Sequence, residues 1–154
     1  MNSVFYAKTT IGTIGIVENG VAITQIFFGK QIVKEAEEKE TALIAKAMKQ
    51  IKEYLAKERQ QFDLPIELAG TSFQKSVWKE LLTIPYGKTN SYKEVAIKIG
   101  NPKACRAIGM ANHNNPIAIV VPCHRVIGVD GSLTGYAGGL AIKKQLLALE
   151  KAYL

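Results

Sequence analysis

The segment Val121-Pro122-Cys123-His124-Arg125-Val126 is the part of this chain best equipped for chemistry. It sets one of only two cysteines beside one of only two histidines. A cysteine near a proton acceptor can become a thiolate, and the thiolate is the nucleophile. Adjacency alone does not join the two, because neighbouring side chains on an extended strand point to opposite faces. A merely structural cysteine is therefore the alternative that the dipeptide leaves open. The apolar run Ile117 to Val121 predicts a short buried strand from whose end Cys123 emerges. Gly128, Gly131, Gly135, Gly138 and Gly139 follow it. Cys105 and Cys123 with two histidines form neither a disulfide framework nor a zinc-ligand spacing, so no metal and a reducing compartment are expected.

The elements that must position this segment are readable from pattern. Val4-Phe5-Tyr6 and Ile14 to Val17 are β-type runs. Glu18-Asn19-Gly20 carries an Asn-Gly turn signal, and Val21 to Phe28 resumes the strand pattern. Over residues 34–59, Leu43, Ile44, Ala47, Met48, Ile51 and Leu55 recur at helical spacing, with Lys34 to Glu40 expected as a solvated helix start. Pro65 and Gly70 mark residues 61–71 as a linker or an extended crossover. Ser72 is the expected cap of a helix from Phe73 to Leu82, and Ser91 of one running to Ile99. Gly100-Asn101-Pro102 breaks the latter, and a further helix reaches Asn112. Two short helices joined by a tight glycine-containing turn predict a helix-turn-helix. The second helix is rich in small residues, including Ala104, Ala107 and Ala111, which suit close approach to another helix or to a nucleic-acid groove.

Length and charge narrow the class. The chain has 154 residues, 47% apolar and 21% charged, which suits a folded protein of one domain or two small ones. No apolar run is long enough to span a bilayer, and no leader is expected at Met1-Asn2-Ser3-Val4-Phe5-Tyr6, so a cytoplasmic setting with no membrane partner follows. Residues 1–70 carry nine Lys and Arg against nine Asp and Glu, and residues 71–154 carry eleven against four. The whole excess of +7 thus lies in the half that holds Cys123. That asymmetry is the electrostatic footprint of a phosphate-backbone binder, or else ordinary solubilising lysine.

The order Ser91-Tyr92, Gly100-Asn101-Pro102-Lys103-Ala104, Arg106-Ala107, Asn115-Pro116, Pro122 to Val126, Gly135-Tyr136-Ala137-Gly138-Gly139-Leu140 and Leu146 to Glu150 resembles the O6-alkylguanine-DNA alkyltransferases over all of residues 72–154. Residues 1–70 resemble that family's ribonuclease-H-like domain more loosely. The resemblance implies an α/β (α+β) protein in two parts. Residues 1–70 would form a small ribonuclease-H-like domain of sheet and helix. Residues 71–154 would form a mainly helical, winged-helix-like DNA-binding and alkyltransferase domain, with a short sheet near the cysteine. It implies a monomer without cofactor that binds double-stranded DNA through the minor groove and flips out O6-alkylguanine, and also O4-alkylthymine. The alkyl group would pass irreversibly to Cys123.

Residue roles follow from the same resemblance. His124 would act as base through a water, and Glu150 would orient it. Tyr92 would donate to guanine N3, and Asn115 would brace the turn beneath the site. Arg106 would fill the vacated stack, with Lys103, Ala104, Ala107, Arg125 and Lys143 at the DNA. Val126, Tyr136, Ala137 and Gly138 would wall the pocket. Some relatives carry serine where Ala137 stands, leaving here only the backbone donor. Cys105 stands where alanine is frequent, and His113 has no counterpart. The zinc ligands of some relatives are absent, since residues 1–70 hold neither Cys nor His.

Other classes remain distinguishable. An alkyltransferase-like lesion sensor replaces the reactive cysteine, which is present here. A plain helix-turn-helix regulator leaves the Cys-His pair unexplained. A cysteine hydrolase would turn over repeatedly and need an oxyanion hole.

Overall fold

The computed structural model describes residues 2–153 and divides into two compact units. The first runs to Leu68 and also takes in Pro116–Ala118; the second holds Ala69–Asn115 and the chain from Ile119 onward. The sequence expectation of a single boundary near residue 70 does not foresee that insertion. Its cause is backbone pairing: Ile26 N–H donates to Pro116 O and Ala118 N–H to Ile26 O, at 2.9 and 3.0 Å.

In the first unit β1 (Asn2–Thr9), β2 (Gly12–Glu18) and β3 (Ile23–Phe28) form an antiparallel meander. β4 (Ala36–Glu38) adds to β1 in parallel, giving the order β3-β2-β1-β4. Helix α1 (Ala42–Leu55) packs on β1 and β2. Its apolar stripe Ile44, Ala47, Met48 and Ile51 is buried together with Ile14, Ile16 and Val17. Gly15 has no side chain because the Phe27 ring fills that place, 2.5 Å from where a Cβ would stand.

The charged run from Lys34 to Glu40 corrects the expected helix start. Glu35 takes φ +57°, and Thr41, whose hydroxyl accepts from Ile44 N–H, caps α1 later in the chain. A charged edge strand is physically reasonable, since Glu37 and Glu38 there discourage pairing with a further chain.

In the second unit α2 (Ser72–Leu81), α3 (Tyr92–Lys98) and α4 (Cys105–His113) pack on one another. The cap of α2 is Thr71 and not Ser72, because Thr71 and Gln74 satisfy each other's backbone donors as a capping box. Ser91 and Glu94 do the same for α3. Gly100 at φ +79° turns the chain between α3 and α4, which form the expected pair of short helices. The Trp78 indole, 2% exposed, donates to Ala111 O at 2.9 Å and ties α2 to α4. β5 (Asn90–Ser91) pairs in parallel with β6 (Val126–Ile127), and α5 (Leu140–Tyr153) closes the unit.

The run Ile117 to Val121 is largely buried but is not a strand. Ile117 makes one isolated bridge, and residues 118–120 turn, with Ile119 at φ +73°. A β-branched residue in that region is strained, at roughly 1–3 kcal/mol. Asn115 holds the turn by donating from its side chain to Val121 O at 2.8 Å.

Candidate active site

Pro122 ends the strained turn, and Cys123–Arg125 form one turn of 3-10 helix. The two side chains therefore do not alternate across a sheet: in a helical turn consecutive side chains fan around an axis. Asn112 fastens the turn from below, its side-chain amide donating to Cys123 O at 3.2 Å. Cys123 is 4% exposed and His124 fully buried. Nε2 of His124 lies 2.6 Å from Oε2 of Glu150, which α5 brings from 26 residues away.

Glu150 is the centre of a buried polar knot. Arg125 Nε donates to Oε1 at 2.9 Å and Nη2 to Oε2 at 3.0 Å, while Gly87 N–H donates to Oε1 at 3.0 Å. The remaining Arg125 nitrogen, Nη1, donates to Ile84 O at 2.7 Å, and the Tyr86 ring lies beneath the guanidinium at 5.6 Å. Lys143 is also wholly buried. Its Nζ donates to Val126 O at 2.7 Å, Thr134 O at 3.0 Å and Gly135 O at 3.4 Å, fastening the glycine-rich loop to β6.

The electrostatics follow from burial. Desolvation pushes the Cys123 thiol up; hydrogen bonding from Asn115, the Lys143 charge and hydrogen bonding from Tyr136 oppose it. Desolvation holds His124 down, against the pull of Glu150. Burial lowers Lys143 and raises Tyr136 well above the ordinary phenol range. At rest the pair is thus a thiol beside a neutral imidazole. A thiolate formed there would be favoured by the Asn115 amide, the Lys143 ammonium and the Tyr136 hydroxyl.

The structure brings Cys123, His124, Glu150, Asn115 and Tyr136 together, with Val126 buried in the strand that follows. Ala137 is exposed and Gly138 half-buried on the same loop. Arg125 and Lys143, expected at the DNA, are corrected: both charged heads turn inward, where carboxylate or carbonyl oxygens occupy their donors. The small residues at the start of and along α4 differ in exposure. Ala107 is exposed, Ala104 half-buried and Ala111 buried beside Trp78, whereas Lys103, Cys105, Arg106 and Met110 face outward.

Tyr92 meets a residue whose type carries no functional signal. Its hydroxyl donates to Thr134 O at 3.2 Å and accepts from Thr134 Oγ1 at 3.1 Å. Tyr92, Cys105, Arg106, Gly109, Thr134 and Gly135 line a cleft of about 370 Å³. Thr134, Asn112 and Gly87 are contributions that sequence reasoning missed. The run Asn112-His113-Asn114-Asn115 is the nearest hint for Asn112, and an ordinary loop threonine or a backbone N–H gives none.

Two family models match the chain. The 6-O-methylguanine DNA methyltransferase DNA binding domain covers residues 72–152, and the ribonuclease-like domain of the same family covers residues 4–68. A methylated-DNA–protein-cysteine methyltransferase of Methanosarcina barkeri is 58% identical over 68% of this chain and 66% of its own length, just under two thirds. The constitutive enzyme of that name from Bacillus subtilis is 45% identical over 98% of this chain and 96% of its own. The crystal structure of Mycobacterium tuberculosis OGT in complex with DNA superposes with a TM-score of 0.93 at 45% identity, covering 98% of this chain and 94% of that one. With both domain models of one family matched in order, and with close likeness over nearly its whole length, the chain belongs to the 6-O-methylguanine DNA methyltransferase family.

Proposed function

We propose that this protein repairs DNA by direct reversal of alkylation. It takes the alkyl group from O6-alkylguanine, and from O4-alkylthymine, onto Cys123, once per molecule. The observation that carries this reading is the buried Cys123–His124 turn with its 2.6 Å His124–Glu150 bond, in a unit whose α4 presents Arg106 to solvent.

The chemistry is a single displacement. His124 takes the thiol proton through an intervening water, and Glu150 stabilises the imidazolium. The thiolate attacks the alkyl carbon. An S–C bond forms, the C–O6 bond breaks, and its electron pair goes to the base. The proton returns to guanine N1, leaving His124 neutral. Tyr92 then donates to guanine N3 in place of Thr134 O, favouring the charge that develops on the leaving base. No simple attack by water reverses a thioether, so the protein does not turn over.

DNA binding falls to the winged-helix-like part, where α3 and α4 form the helix-turn-helix. The Lys- and Arg-rich charge of residues 71–154 supplies salt-sensitive, sequence-independent affinity. Arg106 enters the gap left by the flipped nucleotide, its planar cation both stacking and hydrogen-bonding. Lys103, Ala104 and Ala107 border the minor groove. The protein acts as a cytoplasmic monomer, and no helix among the described residues is long and apolar enough to cross a membrane.

Mixing the protein with a duplex that holds one O6-methylguanine, followed by intact and peptide mass measurement, tests the proposal. One methyl on the Cys123 peptide, in stoichiometric amount, is expected. Repeated turnover with an unmodified cysteine would point to a hydrolase, and binding without transfer to a lesion sensor.

A further inference from the structure

Arg125 was expected at the DNA, yet its guanidinium is spent inside the unit. Glu150 is 1% exposed, and a carboxylate so buried requires a compensating cation. Arg125, through Nε and Nη2, and His124, through Nε2, both touch it and both can carry positive charge. They differ in kind. A guanidinium is always protonated, whereas an imidazole is not. If His124 supplied the compensation, it would already hold the proton that it must accept from Cys123.

We propose that Arg125 is a positioning residue of the transfer reaction: its guanidinium balances the Glu150 carboxylate, so that His124 rests neutral and able to take the Cys123 proton. The inference rests on the function proposed above. The surroundings agree with it on every side. From the 3-10 turn come Cys123, His124 and Arg125 themselves. From α5 come Glu150 and Lys143, the latter engaged with three carbonyls. The glycine-rich loop supplies the Tyr136 phenol, and the segment before β5 supplies Tyr86 and Ile84 O, both on the guanidinium. Among the influences on His124, burial lowers its basicity most; Glu150 raises it, and Arg125 and Lys143 lower it. A purely structural clamp between α5 and the turn would need the same contacts but would leave the pH dependence of transfer untouched.

The test is the single-turnover rate of methyl transfer from O6-methylguanine duplex to Cys123, followed from mildly acid to mildly alkaline pH. In R125M the acid limb should move upward by about one pH unit or more, as expected when an adjacent charge is removed. R125K keeps the charge but loses the fork; its limb should stay at the wild-type pH while its plateau rate falls. Imidazole NMR of the protein with His113→Gln, which leaves His124 as its single histidine, should show a neutral ring through neutral pH. A folded R125M with an unmoved limb overturns the inference, as does an upward limb in R125K or a charged His124 at neutral pH. The last two measurements decide the matter if R125M does not fold. Failure of the wild type to place a methyl on Cys123 would instead sink the proposed function itself.

Discussion

The two units bury different things. Around its sheet the first unit buries Ile14, Ile16, Val17, Ile23, Ile26, Ile44 and Ile51, and its buried polar residues are Glu18 and Gln50. Both satisfy structural donors and acceptors: Glu18 accepts from Gly20 N–H and from the Thr41 hydroxyl, and Gln50 exchanges hydrogen bonds with the Asp63 backbone. The second unit buries His124, Arg125, Lys143 and Glu150 together with Cys123. Burying ionisable groups costs more than burying isoleucine, even when every partner is present. The first unit is thus built on apolar burial, whereas the second sustains a costly cluster of ionisable groups around Cys123. The neutral charge of residues 1–70 and the +7 of residues 71–154 run along the same division.

Substitutions can test that division, from the largest effect to the smallest. Cys123→Ser should abolish transfer while the variant still binds DNA with the salt dependence of the wild type; methyl loss from the duplex by the serine variant would remove Cys123 as nucleophile. Ile16→Ala, in the first unit, should lower unfolding free energy by about 2–5 kcal/mol, because Ile16 is wholly buried. Below its melting temperature it should leave the single-turnover rate unchanged. A slowed transfer in a folded Ile16→Ala protein would mean that the sheet does more than support.

Arg106→Ala should lower transfer from paired duplex about tenfold, the equivalent of some 1.4 kcal/mol, and leave transfer from the free modified base unaltered. Full recovery of the rate at saturating duplex would leave Arg106 as a phosphate contact only.

The smallest effect concerns pH and stability. His124 is held below the ordinary imidazole range in the folded state, so the unfolded chain binds a proton that the folded chain refuses. Stability should therefore fall as pH drops below about 6.5, at up to roughly 1.4 kcal/mol per unit, and level off once the folded imidazole also protonates. The first unit has no histidine within residues 1–70 and should add little to that slope. Urea unfolding of wild type and His124→Gln at several pH values checks this; equal slopes in the two proteins would show that His124 is not the group responsible.

Much of this was legible in the residues. The strands around Val4, Ile14 and Ile23, the helix over Leu43 to Leu55 and the helix cap at Ser91 follow from periodicity and capping chemistry, which are local. The order of motifs from Tyr92 to Glu150 named the family and singled out His124 and Glu150, whose side chains meet. Local pattern misled where two local solutions compete. Lys34 to Glu40 has helical composition but yields to an edge strand once Glu35 turns left-handed. Ile117 to Val121 is apolar in either a buried strand or a buried turn, and periodicity cannot separate them.

What the sequence determined by itself is the chemistry of the side chains and the order in which they arrive: a thiol, an imidazole, a carboxylate and a basic half. What tertiary structure alone decided is where each charge ends up. Arg125 and Lys143 were expected at the DNA because the motif order implied it, and a motif fixes a residue's place in the chain but not where its side chain points. Their burial is set by α5 and the glycine-rich loop folding back from distant positions. The same non-local closure brings Thr134 to Tyr92 and Gly87 to Glu150. A hydrogen bond between residues 42 or 63 positions apart leaves no trace in the local pattern of either one.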